Sequence, residues 1–128
     1  MPTLLKINAS AQLEERSLTR QLTTLFTRTF CEGAADTKVI DRDVGHSPPS
    51  FVNHRFIHAA FTESEEREPW MVDVLAESDR LIDEVIAADI IVIGAPMYNY
   101  GMPAALKAWF DLVARVGRTF SFDLGRGD

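Results

Sequence analysis

Three stretches of this chain are apolar on neighbouring positions, and the segments between them repeat with a helical period. Thr3-Leu4-Leu5-Lys6-Ile7 reads as a first strand that starts almost at the terminus. Thr37-Lys38-Val39-Ile40-Asp41 reads as a short second strand. Ile90-Ile91-Val92-Ile93 is apolar without alternation, which predicts a strand buried on both faces in a parallel sheet covered by helices. Leu18, Leu22, Leu25, Phe26 and Phe30 fall on one stripe of an amphipathic helix. Ser17 stands where its N-cap would be, and Gly33 ends it. Met71, Val74, Leu75, Ser78, Leu81, Ile82, Val85 and Ile86 mark a second helix, with Ser78 the one polar member of its stripe.

A third helix is predicted from about Pro103 to about Val116. Lys107, Asp111 and Arg115 form its one polar line, and nearly everything else on it is apolar. A single sheet face cannot bury all of that, so the helix needs a second partner. Either the segment His46–Glu68 covers it or a second subunit does. That segment reads as irregular: Pro48-Pro49 blocks regular structure, and Phe51, Phe56, Ile57 and Phe61 need somewhere to go. A ligand cleft, a helix or a second subunit would each accept them. Glu63, Glu65, Glu66 and Glu68 suit a solvated helix entry. Strands alternating with helices imply an α/β fold with a parallel sheet and helices on both faces.

Composition narrows the function more than the fold. At 128 residues the chain suits one domain with a real core. A net charge of −6, with no run of Lys or Arg, argues against nucleic acid and against an anionic membrane as partners. No apolar run approaches transmembrane length, and the first ten residues lack a signal-peptide pattern. The one cysteine, Cys31, excludes an intrachain disulfide and suits a reducing cytoplasm as a buried, inert thiol.

Two loops are candidates for chemistry, because open parallel sheets bind ligands at the carboxyl ends of their strands. The first runs from Asn8-Ala9-Ser10 to Arg16-Ser17-Leu18-Thr19 and leads into a helix N-terminus. Free N–H groups and the hydroxyls of Ser10, Ser17 and Thr19 suit a phosphate monoester, with Arg16 adding charge. Plain N-capping by Ser17 explains the same residues about as well. There is no glycine-rich dinucleotide turn and no Walker-type loop. The second loop, Gly94-Ala95-Pro96-Met97-Tyr98-Asn99-Tyr100-Gly101, offers a flat aromatic ligand a stacking surface, or else two packing tyrosines. His54 and His58 are four apart, but no acid completes a metal site, so no metal ligand is assigned. His46 reads as a lone surface residue, and Asp41, Asp43 and Asp89 as strand-end acids that cap or face solvent. No nucleophile elbow or hydrolase triad is visible, and no catalytic acid or base is assigned.

Ala95-Pro96-Met97-Tyr98-Asn99-Tyr100 is followed by Leu106-Lys107-Ala108-Trp109-Phe110-Asp111 and then Gly117-Arg118-Thr119-Phe120. With Ser10 and Ser17-Leu18-Thr19 in the first half, this pattern resembles the bacterial FMN-dependent NADH-azoreductases, also called NADH:quinone oxidoreductases. The resemblance spans nearly the whole chain and is loose over residues 42–68. It implies a flavodoxin-like parallel sheet, here with its first three strands in the order 2-1-3. It also implies a homodimer with FMN at the interface. By position, Ser10, Ser17, Leu18 and Thr19 would hold the FMN phosphate, and Met97, Tyr98, Asn99 and Tyr100 would lie along the flavin ring. Phe120 and Phe122 would stand on the substrate side. The implied reaction is ping-pong, from NADH to FMN and then to an azo compound or a quinone, with the flavin performing the redox chemistry. Members of the family continue beyond the position of Asp128. The resemblance therefore implies a shortened chain that lacks two strands and a glycine-containing loop to the flavin ring, and it leaves strand three at an open edge for another subunit to pair with. Phe122–Asp128 reads as a polar, turn-like tail. The alternative is a non-catalytic remnant that dimerises but binds FMN weakly or not at all. A small flavodoxin-type electron carrier fits the apolar last helix less well.

Overall fold

A computed structural model describes residues 1–122. The element order is β1 (Thr3–Asn8), α1 (Leu18–Gly33), β2 (Lys38–Asp43), α2 (His54–Ala60), α3 (Pro69–Ala87), β3 (Ile90–Gly94) and α4 (Ala104–Val113). All pairing is parallel, and the sheet order is β2-β1-β3. In register, Asn8 lies between Asp43 and Gly94, so the three strands end level with one another. Every loop that leaves a carboxyl end therefore starts from the same edge, which is where such sheets place a ligand.

Leu5 and Ile7 are fully buried and belong to one apolar cluster with Leu75 and Ile82 of α3 and Leu106, Trp109 and Leu112 of α4. Asn8 turns instead toward α1, where its side-chain oxygen accepts the Thr23 hydroxyl at 2.7 Å. Ser17 caps α1 as expected, accepting the Arg20 N–H at 3.2 Å, and α1 ends at Gly33. The Arg42 fork grips Glu84 at 3.0 and 2.6 Å and ties β2 to α3.

Ser78, the polar member of an apolar stripe, is fully buried and satisfied on both sides. Its hydroxyl donates to the Leu112 carbonyl at 2.5 Å and accepts from Arg115 Nη1 at 2.9 Å. Arg115 also reaches Asp79 at 2.8 Å. This corrects the expected polar line on the last helix. α4 stops at Val113 rather than Val116, so Arg115 lies past its end and turns inward, while Lys107 and Asp111 pair on the surface at 2.6 Å.

β3 departs from the expectation of burial on both faces. Ile91 and Ile93 remain 40% and 38% exposed. β3 is one of the two edge strands of the described sheet, and beside it Leu22, Leu25 and Phe26 of α1 line an open hollow of about 620 Å³ with Val92 and Ile93. The segment after Pro49 is less irregular than expected, because Asn53 accepts the Phe56 N–H at 3.0 Å and starts α2. Phe56 enters the core, whereas Phe51, Ile57 and Phe61 stay exposed. Cys31 is half-buried rather than buried. Among the described residues, no helix is long and apolar enough to cross a membrane. The tail expected beyond Phe122 lies outside the described residues.

Candidate functional site

Two loops meet at the edge formed by Asn8, Asp43 and Gly94. The first leaves β1, passes a 3₁₀ turn at Glu14–Arg16 and enters α1. Ser10 and Ser17 are buried at its two ends, while residues 11–16 are exposed. Ser10 Oγ accepts the Gln12 N–H at 3.1 Å, which leaves its own proton to donate. Ser17 Oγ lies 3.3 Å from Thr19 Oγ1. No acceptor among the described residues takes the N–H of Leu18 or Thr19. Those are first-turn donors at the positive end of α1, which makes them ready for an anion. Leu18 contributes only its backbone, since its side chain points into solvent.

The second loop leaves β3 at Gly94. A Cβ there would lie 2.8 Å from the Thr23 methyl and 3.1 Å from the Thr19 carbonyl, so only glycine lets the strand end pass under α1. Tyr98 and Gly101 exchange hydrogen bonds at 2.8 and 3.1 Å across a two-residue turn. Asn99 and Tyr100 both have positive φ, 51° and 66°. Asparagine tolerates that region; tyrosine does so at a cost. Tyr100 is also 96% exposed, so no packing within the chain compensates the strain. The Met97 side chain is exposed beside it.

The two loops are joined: the Ala11 N–H donates to the Tyr98 hydroxyl at 3.1 Å. The two tyrosines differ: the Tyr98 hydroxyl braces the first loop rather than lying free in water, and Tyr100 stands free.

A polar group behind the first loop escaped the sequence reading. Arg20, buried, donates from Nη1 and Nη2 to the two Asp43 oxygens at 2.8 and 2.9 Å, and from Nη2 to the Ser10 carbonyl at 2.5 Å. His46 is not a lone surface residue. Its N–H donates to Asp43 at 2.9 Å, and its ring reaches the Gln12 carbonyl at 2.9 Å. Asp43 therefore does more than cap a strand, whereas Asp89 does cap, accepting the Thr3 N–H at 2.8 Å. The hydrogen-bonded Arg20 guanidinium holds the Asp43 carboxyl below the usual carboxylate range against the opposing effect of burial, with help from the His46 N–H.

A carboxyl with a depressed native pKa adds stability above its unfolded pKa and loses it as pH falls through the native one. We therefore expect Asp43→Asn to destabilise the chain at pH 7 and to converge with the unsubstituted chain as acid unfolding is taken below about pH 4. Paired urea titrations across pH check this.

Phe120 and Phe122 pack edge to face, 5.3 Å between centroids and 89° between planes. Phe120 lines a hollow of about 340 Å³ with Val52, Phe56, Ile57, Phe61 and Val116, and no residue of the two loops lines it. His54 and His58 form no metal group with other ligands among the described residues; His58 leans on Trp70 instead, at 5.8 Å between centroids.

Three parallel strands in this order, flanked by helices, with an anion-ready turn after the first, define a flavodoxin-like α/β protein. Residues 2–128 match a family described by its flavodoxin-like fold, and the chain belongs to that family. It is 46% identical to the FMN-dependent NADH:quinone oxidoreductase 2 of Idiomarina loihiensis, with all of this chain and 56% of that protein covered. It is 48% identical to the protein of the same name in Colwellia psychrerythraea, again over its whole length and 61% of the relative. The chain thus spans somewhat more than half the length of these relatives. Its fold superposes on an azoreductase of Bacillus anthracis with a TM-score of 0.85 at 22% identity, covering 96% of this chain and 60% of that one. It matches an FMN-dependent NADH-azoreductase of the same species, solved in complex with FMN, with a TM-score of 0.83 at 17% identity, covering 96% and 60%.

Proposed function

We propose that this chain carries the FMN-binding part of an FMN-dependent NADH:quinone or azo oxidoreductase. The observation that carries the reading is the pair of N–H groups at Leu18 and Thr19, without an acceptor among the described residues, set beside the hydroxyls of Ser10, Ser17 and Thr19. These fit the phosphate of FMN. The names of the relatives above support the same cofactor with NADH as donor. Met97, Tyr98, Asn99 and Tyr100 would lie along the flavin ring, where the exposed Tyr100 and Met97 side chains offer it apolar surface. When bound, FMN supplies the redox chemistry, accepting electrons from NADH in one half-reaction and giving them to a quinone or azo compound in the next. The chain's own contribution is binding and orientation. The phosphate loop would anchor one end of the cofactor, and the hydrogen-bonded Tyr98–Gly101 turn would present residues to its ring. No acid or base of the chain is assigned to the reaction.

Phe120 and Phe122 would serve the substrate side of a second subunit's flavin in a homodimer. The hollow beside Phe120, which no residue of the two loops lines, fits that assignment, as do the exposed apolar Ile57 and Phe61 around it. The half-buried single thiol suits a reducing cytoplasm.

The test is an anaerobic titration of the FMN-loaded protein with NADH, followed by a quinone. Bleaching of the flavin band and its return on adding quinone, each without the other substrate present, support the reading. A protein that dimerises yet takes up no flavin is instead the non-catalytic remnant. The strain at Tyr100 gives a separate prediction. Tyr100→Gly raises the unfolding free energy by about 1 kcal/mol, because glycine enters the left-handed region freely. The same change weakens FMN binding through the lost ring contact. Urea unfolding and a flavin titration read the two effects.

A further inference from the structure

The Ser10–Ala11 peptide unit is held from both of its polar ends. Its carbonyl accepts from Arg20 Nη2 at 2.5 Å, and its N–H, on Ala11, donates to the Tyr98 hydroxyl at 3.1 Å. A peptide unit is planar, so these two contacts together fix its orientation. A third element closes on it: a Cβ on Gly45 would lie 2.0 Å from the Ser10 oxygen. The backbone of Arg20 acts at the other end of the loop, where its N–H is capped by Ser17 Oγ at 3.2 Å. One residue thus ties the Ser10 carbonyl to the Ser17 hydroxyl.

The Arg20 side chain is committed to this task. Both hydrogens of Nη2 are used, one on Ser10 and one on Asp43, and Nη1 takes the other Asp43 oxygen. Its Nε is buried without an acceptor among the described residues. Asp43 pairs with its charge at the loop and is itself braced by the His46 backbone N–H. This is a brace and not an anion ligand. A guanidinium fork can bridge a carboxylate and a carbonyl in one plane, which an ammonium cannot.

We infer that Arg20 is the positioning residue of the phosphate loop, holding the Ser10 carbonyl so that the loop's N–H and hydroxyl donors converge on one anion. The inference rests on the FMN reading above and adds to it a residue that touches no part of the cofactor.

The experiment compares FMN with riboflavin, which shares the ring and lacks the phosphate, on the unsubstituted chain and on Arg20→Ala, Arg20→Lys and Asp43→Asn. The expected result is that Arg20→Ala and Arg20→Lys each weaken FMN at least tenfold and change riboflavin less than twofold. Asp43→Asn, which leaves Arg20 without its anchor, gives a smaller loss with the same selectivity. It also carries the test if neither Arg20 variant folds, as judged by urea midpoints. Parallel weakening of both flavins would mean a general structural role and overturns the inference. Full FMN affinity in Arg20→Lys would mean that charge, not geometry, matters, and overturns it too. An unsubstituted chain that does not prefer FMN to riboflavin removes the FMN reading, and the inference falls with it. That failure is recognisable because it occurs before any substitution is made.

Discussion

Truncating Trp109 to alanine lowers the unfolding free energy by about 3–5 kcal/mol, the largest loss expected from any single change in this chain. Trp109 is 3% exposed and sits in the apolar cluster with Leu75, Leu106 and Leu112, edge-on to Phe110 at 5.0 Å between ring centroids. Alanine leaves a cavity that α3 and β1 cannot fill without moving. Its indole N–H has no partner among the described residues. Trp109→Phe therefore loses volume but no hydrogen bond, and it costs much less, roughly 1–2 kcal/mol. Urea unfolding of both variants checks the ordering. Equal losses would show that the indole N–H, not its bulk, matters. The motif residues Leu106 and Trp109 thus answer to packing, while Lys107 and Asp111 form a surface pair.

Gly45→Ala is the second large effect, and it bears directly on the site. The three atoms nearest its added Cβ would be Ser10 O at 2.0 Å, Ser10 C at 2.6 Å and Ala9 C at 3.0 Å. All are backbone, and the Ser10 carbonyl is held by Arg20, so no side chain can swing aside to make room. The loop after β2 must separate from the loop after β1, and the hydrogen bonds from Val44 and Gly45 to the Asn8 carbonyl go with it. We expect a loss of about 3 kcal/mol, the upper end of the range for overpacking. FMN binding weakens as well, because the displaced peptide is the one that begins the phosphate loop. Gly33→Ala is the control: nothing lies within 4 Å of its added Cβ, at the end of α1, and it stabilises by roughly 0.5 kcal/mol. Urea midpoints for both, with a flavin titration on Gly45→Ala, decide the matter.

The strands and the long helices were legible because runs such as Ile90–Ile93 and stripes such as Met71–Ile86 carry their own period. Ser17 as a cap was legible for the same local reason. α2 was not. It is seven residues long, and its start rests on one asparagine after a proline pair. The inward turn of Arg115 depends on α4 ending three residues early, and nothing in Lys107–Arg115 signals that. The exposed face of β3 goes with its place at the rim of the described sheet, which a run of isoleucines does not encode and only the family resemblance implied. In the site, the hydroxyl-rich turn could be read from residues alone, but only the family resemblance assigned it to FMN phosphate. The Arg20–Asp43 pair joins residues 23 apart and the Ala11–Tyr98 contact residues 87 apart. Contacts of that span belong to the tertiary fold, and a strand-end aspartate or a helix arginine looks ordinary until the two loops are brought together.

The most direct test of the account is an equilibrium titration of the purified chain with FMN, read by quenching of flavin fluorescence and by the shape of its visible band. Saturation near one FMN per chain is expected, with riboflavin bound at least tenfold more weakly because it leaves the Leu18 and Thr19 donors unused. Absence of FMN binding, or equal affinity for the two flavins, would contradict it.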